Sequence, residues 1–540
     1  MSTTRELKSL EKDFEEIYGL TMPQEATSVG LRKFDRRLSD PSPVSMKQLR
    51  KSMDALEARL KKLKSGLKDK NAKFEVGNLI ARTRSLRKFS ETSLRTPALY
   101  LLNLLFACHD VMVRDFIPDQ VECVTSRLRQ TGKYFENARL NVKGISKRQI
   151  DVAIGLAPVT VQFFEKSVPE WAKGKGSPRE LLKLSRQTAE NVRKYVAFLK
   201  ELRARAPKDA HFTEEEYEEI LRDTFGIEIC AFELEEIGVE QMRKWEKELK
   251  RIASKISPGK GWEKVMEELR EDCPKSEGEL MESYAKLTED FRKAAKELNI
   301  VSLPEGERAV IRPMPEFYRE IAPFAAYVWD DLVGSRPTGS FFVTPSVKGV
   351  KPEEHFKEHN YPSQKMTVIH ECYPGHHVNA SNMALYAPRI RQLLTYAGYG
   401  LMEGWGLYTE ELMTRAMKLD AKAQLEMARG CLWRAVRVIV DVRLHLGRYT
   451  FEEAVDFTAK KLKMSKDSAL REVWFHLIYP GYKPCYMVGK LMIEKVKEWA
   501  RKNWKGYSDK KFHDLVVRAG DVTLLELYEL VRNFKTAYLD

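Results

Sequence analysis

Apolar residues recur three and four apart along most of the chain, the spacing of a helix with one buried face. Leu49, Met53, Leu56, Leu60, Leu63 and Leu67 form one such stripe. Ile237, Met242, Trp245, Leu249 and Ile252 form a second, and Leu280, Tyr284, Leu287, Phe291, Ala294 and Leu298 a third. At 3.6 residues per turn those steps return a side chain to the same face, so each stripe predicts a core-packed helix. The texture changes between Val301 and Ser363, where Pro304, Pro313, Pro315, Pro323, Pro337, Pro345, Pro352 and Pro362 break any long helix. Inside that stretch, Gly339 to Pro345 sets β-branched and aromatic residues between turn formers. This predicts a short strand, and the proline at its end favours an edge position. Helical spacing resumes after Gln364 and continues to the C-terminus.

The fold class expected from this pattern is mainly α: a large helical body around a cleft, with a small β-sheet or edge strand lining the active site. A helical lobe over 1–300 and a catalytic lobe over 301–540 are the expected domains, since 540 residues are many for one compact core. Composition supports a folded chain, with 43% hydrophobic and 31% charged residues. The formal net charge is +14, yet 78 acidic residues are spread among the 92 basic ones. With no zinc-finger spacing, RNP-like strand or concentrated basic tail, nucleic acid is not an expected partner. The first residues carry acids early and lack the apolar core of a secretory signal, and the run Leu99 to Cys108 is interrupted by Asn103 and too short to span a bilayer. No membrane partner and a cytoplasmic location are therefore expected. Cysteines 108, 123, 230, 273, 372, 431 and 485 include no CxxC pair, so free, mostly buried thiols are expected rather than disulfides or a thiolate zinc site.

The chemistry concentrates in the second half. Only ten histidines occur, yet His370, His376 and His377 fall within eight residues, beside Glu371. The HExxH arrangement sets two histidines one turn apart on a helix, with a glutamate that activates water at the metal. Here the residue four after His370 is Pro374. On a regular helix, a seven-residue step would bring His377 nearly back over His370, whereas six residues leave His376 about 120° away. Pro374 forbids a regular helix, because it has no N–H to give the carbonyl of His370, and Gly375 eases an unusual backbone. A bulge or kink at Pro374-Gly375 would return His376 toward His370, which favours His376 over His377 as the second ligand. A third ligand is offered by Glu403, 27 residues beyond His376. Glu410 or Glu411, about two turns on, is placed to accept a hydrogen bond from a ligand histidine.

The motifs HExxPGHH, EGWxLYxE, RxxR…VDxxxH, PGxxxxYxxG and FHxxxxxxG, all from about residue 336 onward, resemble those of the family catalogued as domain of unknown function 885. That family is similar to gluzincin metallopeptidases such as carboxypeptidase Taq and the thimet oligopeptidases. The resemblance implies one Zn²⁺ per chain held by His370, His376 and Glu403, with Glu371 as general base. It also draws attention to Arg434, Arg437, Asp441 and His445, to Pro480, Gly481, Tyr486 and Gly489, and to His513 and Gly520. Tyr482 stands where family members commonly carry glutamine.

Tyr486 and His445 are candidate donors to the oxyanion of a tetrahedral intermediate. Arg434 and Arg437, one turn apart, either clamp a substrate carboxylate or pair with Asp441. Phe342 and Val343 lie on the strand expected to pair with an extended peptide. The expected function is a zinc-dependent metallopeptidase acting on peptides. A zinc hydrolase of another small amide, or a non-catalytic helical scaffold with a vestigial metal site, is the alternative.

Overall fold

The structure, a computed structural model, describes residues 3–114, 116–319, 322 and 324–533, so Pro323 lies outside it. It is mainly helical, and its described residues include one three-stranded sheet. The chain divides into two compact units. The first holds the residues up to Thr224 with Leu393–Ala397 and Trp474–Pro480, and the second holds Phe225–Gln392, Gly398–Val473 and the residues from Gly481 onward.

In the first unit, helix α1 (Pro43–Gly66) starts where the Ser42 side chain accepts the Ser45 N–H and Pro43 supplies a fixed first turn. Its Leu49, Met53, Leu56 and Leu60 are buried, and α1 packs on α2 (Lys70–Leu94), so the stripe is covered by its own chain. The run Leu99 to Cys108 lies in the buried helix α3 (Pro97–Met112). No helix among the described residues is long and apolar enough to cross a membrane.

The second unit is built from α4 (Ala231–Ile256), α5 (Glu277–Leu298), β1 (Arg308–Pro313), β2 (Ala325–Trp329), β3 (Thr338–Val343), α6 (Tyr361–Glu371), α7 (His376–Tyr386), α8 (Tyr399–Ala416), α9 (Ala421–His445) and α10 (Pro484–Asn503). Met242, Trp245, Leu249 and Ile252 bury the α4 stripe, and Leu280, Tyr284 and Phe291 bury that of α5. The long first stretch of the first unit ends at Thr224, ahead of the break expected near residue 300, and in the second unit α4 runs along α9 and α5 packs on α6. Helices α8 and α10 cross at glycine: a Cβ on Gly489 would sit 1.9 Å from the Gly400 carbonyl oxygen, so any side chain there would force the helices apart.

The sheet corrects one expectation. Its order is β1-β3-β2, with β3 parallel to β1 and antiparallel to β2. The strand expected at an edge is therefore central. Pro345 lies beyond Val343, the last paired residue, so its missing N–H takes no place in the ladder. Phe342 and Val343 are buried in the sheet's packing and offer no backbone edge to a substrate. The outer strands are β1 and β2.

Candidate metal centre

Helix α6 ends at Glu371 and α7 begins at His376, with Cys372 to Gly375 turning the chain between them through a cis Tyr373–Pro374 peptide. The irregularity expected at Pro374-Gly375 is thus a full break between two helices rather than a bulge in one. Glycine is required at 375, since a Cβ there would lie 1.8 Å from the His370 carbonyl oxygen. The indole N–H of buried Trp405, on α8, donates to the Pro374 carbonyl at 2.9 Å and ties the turn to the EGW segment.

The break brings His376 back to His370. Their rings lie 4.7 Å apart, nearly perpendicular at 87°. Oε2 of Glu403 is 3.8 Å from His370 Nε2 and 3.5 Å from His376 Nε2. Donors about 2.1 Å from a tetrahedral ion stand about 3.4 Å apart, so these three side chains fit a zinc ion with little movement. His370, Glu371 and His376 also offer ligand atoms within 4.8 Å of one another, which makes Glu371 a competing carboxylate. Glu371, however, uses Oε2 to accept the Tyr327 backbone N–H of β2 at 3.1 Å. Glu403 faces both imidazoles and is the better third donor.

The surroundings orient this group. His370 Nδ1 lies 2.8 Å from Glu410 Oε1, which fixes the proton on Nδ1 and leaves Nε2 as the free donor atom. Burial acts to lower the His370 pKa, but the carboxylates of Glu403 and Glu410 outweigh it and raise the group to about 9. Burial conversely acts to raise Glu403, and the two imidazoles outweigh it, holding the carboxyl well below the usual range. Nδ1 of His376 is buried without a hydrogen-bond partner. Gly406, one turn from Glu403, makes room for the His370 ring: a Cβ would come within 2.7 Å of its Cε1. Gly406→Ala is expected to cost about 1–3 kcal/mol by overpacking, read as a lowered unfolding midpoint at unchanged denaturant slope. An unaltered midpoint would show that the ring has space to retreat.

His377 goes elsewhere. It is fully buried, with Nδ1 2.9 Å from the Tyr327 hydroxyl and Nε2 2.8 Å from Glu307 Oε2. Glu307 also accepts from the Tyr373 hydroxyl at 2.7 Å and from Arg292 Nε at 2.7 Å. Both ring nitrogens of His377 are thereby engaged away from Glu403.

The remaining expected residues divide. The Tyr486 ring stacks beside His370 at 6.3 Å, and the guanidinium groups of Arg434 and Arg437 lie 5.8 and 5.1 Å from its centre. Arg437 is gripped by both oxygens of Glu472, at 2.5 and 3.1 Å, so it is spent on a structural pair whose partner is not Asp441. Asp441 instead accepts the Gly481 N–H at 3.0 Å. Arg434 reaches Glu410 at 3.6 Å and its Nε is buried without a partner. His445 is buried at the end of α9, two turns past Arg437. His513, 2.9 Å from the Tyr408 hydroxyl and 2.7 Å from the Ile300 carbonyl oxygen, holds helices together. One residue beside the ligands was noted in the sequence only as a departure from the family pattern and given no role: the Tyr482 hydroxyl donates to Glu403 Oε1 at 2.5 Å. Its signal was a second tyrosine four residues before Tyr486.

Residues 23–531 match the family described as bacterial protein of unknown function, DUF885. The chain belongs to this family. Two solved structures share its fold. A candidate lipoprotein of unknown function from Shewanella oneidensis has a TM-score of 0.77 at 18% identity, covering 98% of this chain and 100% of that one. A candidate lipoprotein from Colwellia psychrerythraea has a TM-score of 0.81 at 18% identity, covering 98% of each chain. A Pyrococcus furiosus carboxypeptidase overlays at a TM-score of 0.37 and 12% identity, over 98% of this chain and 90% of that one, too low to carry a conclusion. The sequence matches none of the curated proteins.

Proposed function

We propose that this family member is a zinc-dependent peptidase that binds one zinc ion per chain through His370, His376 and Glu403 and uses Glu371 as general base. The reading is carried by the convergence of His370 Nε2, His376 Nε2 and Glu403 Oε2 beside a second carboxylate that is not needed to hold the ion. Zinc bound there supplies Lewis acidity for a scissile carbonyl and brings the pKa of water down to about 7. Glu371 keeps one oxygen on the Tyr327 amide, and its other oxygen takes the proton of the attacking water and returns it to the leaving amine. The Tyr486 hydroxyl donates to the developing oxyanion. Peptide backbone is read by the outer edge of β2, the strand that contacts Glu371, in the role first expected of Phe342 and Val343. Seven unpaired cysteines fit a reducing, cytoplasmic setting. Peptides or small amides, rather than nucleic acid or membrane, are the proposed partners.

The test is elemental analysis of protein purified without added metal, followed by a mixed peptide library read by mass spectrometry. About one zinc per chain and defined cleavage products are expected. A zinc-loaded protein that cuts nothing in the library would count against peptides as substrates, and a protein that takes up no zinc would remove the metal reading. Tyr486→Phe should lower kcat far more than it raises KM, because its bond to the oxyanion exists only in the transition state. An unchanged kcat would return Tyr486 to a packing role.

A further inference from the structure

Glu403 has two oxygens with different neighbours. Oε2 faces both histidines, at 3.8 and 3.5 Å, whereas Oε1 accepts the Tyr482 hydroxyl at 2.5 Å. The Tyr482 and Tyr486 hydroxyls are 3.1 Å apart. A carboxylate can only accept, and each phenol has one proton to give. Tyr482 therefore spends its proton on the charged acceptor, and in the resting site Tyr486 donates to the Tyr482 oxygen, a neutral acceptor it can leave for a developing oxyanion. A directed chain results, from Tyr486 to Tyr482 to Glu403. The Tyr482 ring is held independently of its hydroxyl, against Phe225 at 6.2 Å, Tyr399 at 5.7 Å and Tyr486 at 5.8 Å.

We propose that Tyr482 is a positioning residue that occupies Oε1 of Glu403 and so restricts this glutamate to binding the metal through Oε2 alone. The inference rests on the metal reading above. Carboxylates bind metals through one oxygen or two, and a short charge-assisted bond to one of them decides between the modes. Without that bond, Oε1 would be a buried charged oxygen with no donor, and turning both oxygens toward the cation is its remaining way to be satisfied. Partners that orient ligands in this way commonly matter 10–100-fold in metal affinity.

The experiment is a zinc competition titration of full-length parent and Tyr482→Phe protein against a chelator of known affinity, with the absorption spectrum of each recorded at saturating Co²⁺. Tyr482→Phe keeps the ring and removes the hydroxyl, both the donor to Glu403 and the acceptor of Tyr486. Zinc affinity is expected to fall about 10–100-fold, and the visible Co²⁺ bands are expected to weaken as the site moves from four donors toward five. A variant with parental affinity and a parental Co²⁺ spectrum overturns the proposal while leaving the metal reading intact. A parent that binds no zinc overturns the metal reading and this proposal together.

Discussion

Glu371→Gln is expected to slow peptide hydrolysis by roughly 10²–10⁴-fold, with zinc content and melting temperature close to those of the parent. Glutamine keeps the size of the side chain, and its amide oxygen can still accept the Tyr327 N–H that Glu371 accepts at 3.1 Å. What it loses is the ability to take a proton. The half-buried side chain sits at the last residue of α6, next to His370, so the substitution disturbs neither the packed face of that helix nor the Glu403 contact. Because the same carboxylate also delivers the proton to the leaving amine, the loss is expected at the upper end of that range or beyond it. Rates on the best library peptide, with zinc measured on the same samples, separate the outcomes. Equal rates for parent and variant would take Glu371 out of the proton path; loss of zinc from the variant would make it a ligand instead.

Helical periodicity predicted what is local. The stripes at Leu49–Leu60 and Met242–Ile252 are buried helix faces, since a three-four spacing needs nothing outside its own helix to be read. The His370, Glu371, His376 and Glu403 grouping was legible because Pro374 and Gly375 mark the break and Trp405 of the EGW segment hydrogen-bonds that break. What the sequence concealed depends on partners far along the chain. β3 reads as an edge strand because Pro345 follows it, whereas the ladder ends at Val343 and both neighbours pair with it before that proline is reached. Arg437 reads as a substrate clamp or a partner of Asp441 until Glu472, 35 residues later, closes on it. Tyr482 looked like a loss of glutamine, whereas its hydroxyl meets Glu403 Oε1 at 2.5 Å.

His376→Ala and His377→Ala, adjacent substitutions of the same residue type, should have opposite consequences. His376 presents Nε2 to Glu403 at 3.5 Å and makes no hydrogen bond through Nδ1, so its removal takes away a third of the protein's donor set while breaking little else. Zinc should be lost and the metal-free protein should melt near the metal-free parent. His377 is wholly buried between the Tyr327 hydroxyl and Glu307 Oε2, at 2.9 and 2.8 Å. Its removal leaves a buried carboxylate short of a donor and a void beside β2, although Arg292 and Tyr373 still hold Glu307. A loss of roughly 3 kcal/mol in stability follows from such a broken buried pair, with zinc still bound. Because Tyr327 also positions Glu371 through its backbone N–H, kcat should drop with the loosened strand even though the ligands remain. Zinc analysis and denaturant unfolding of the two variants decide the matter: zinc lost from His377→Ala and kept in His376→Ala would mean that the second imidazole ligand is His377, that the break at Pro374 does not serve to return His376, and that the buried Glu307 pair gives way to the metal.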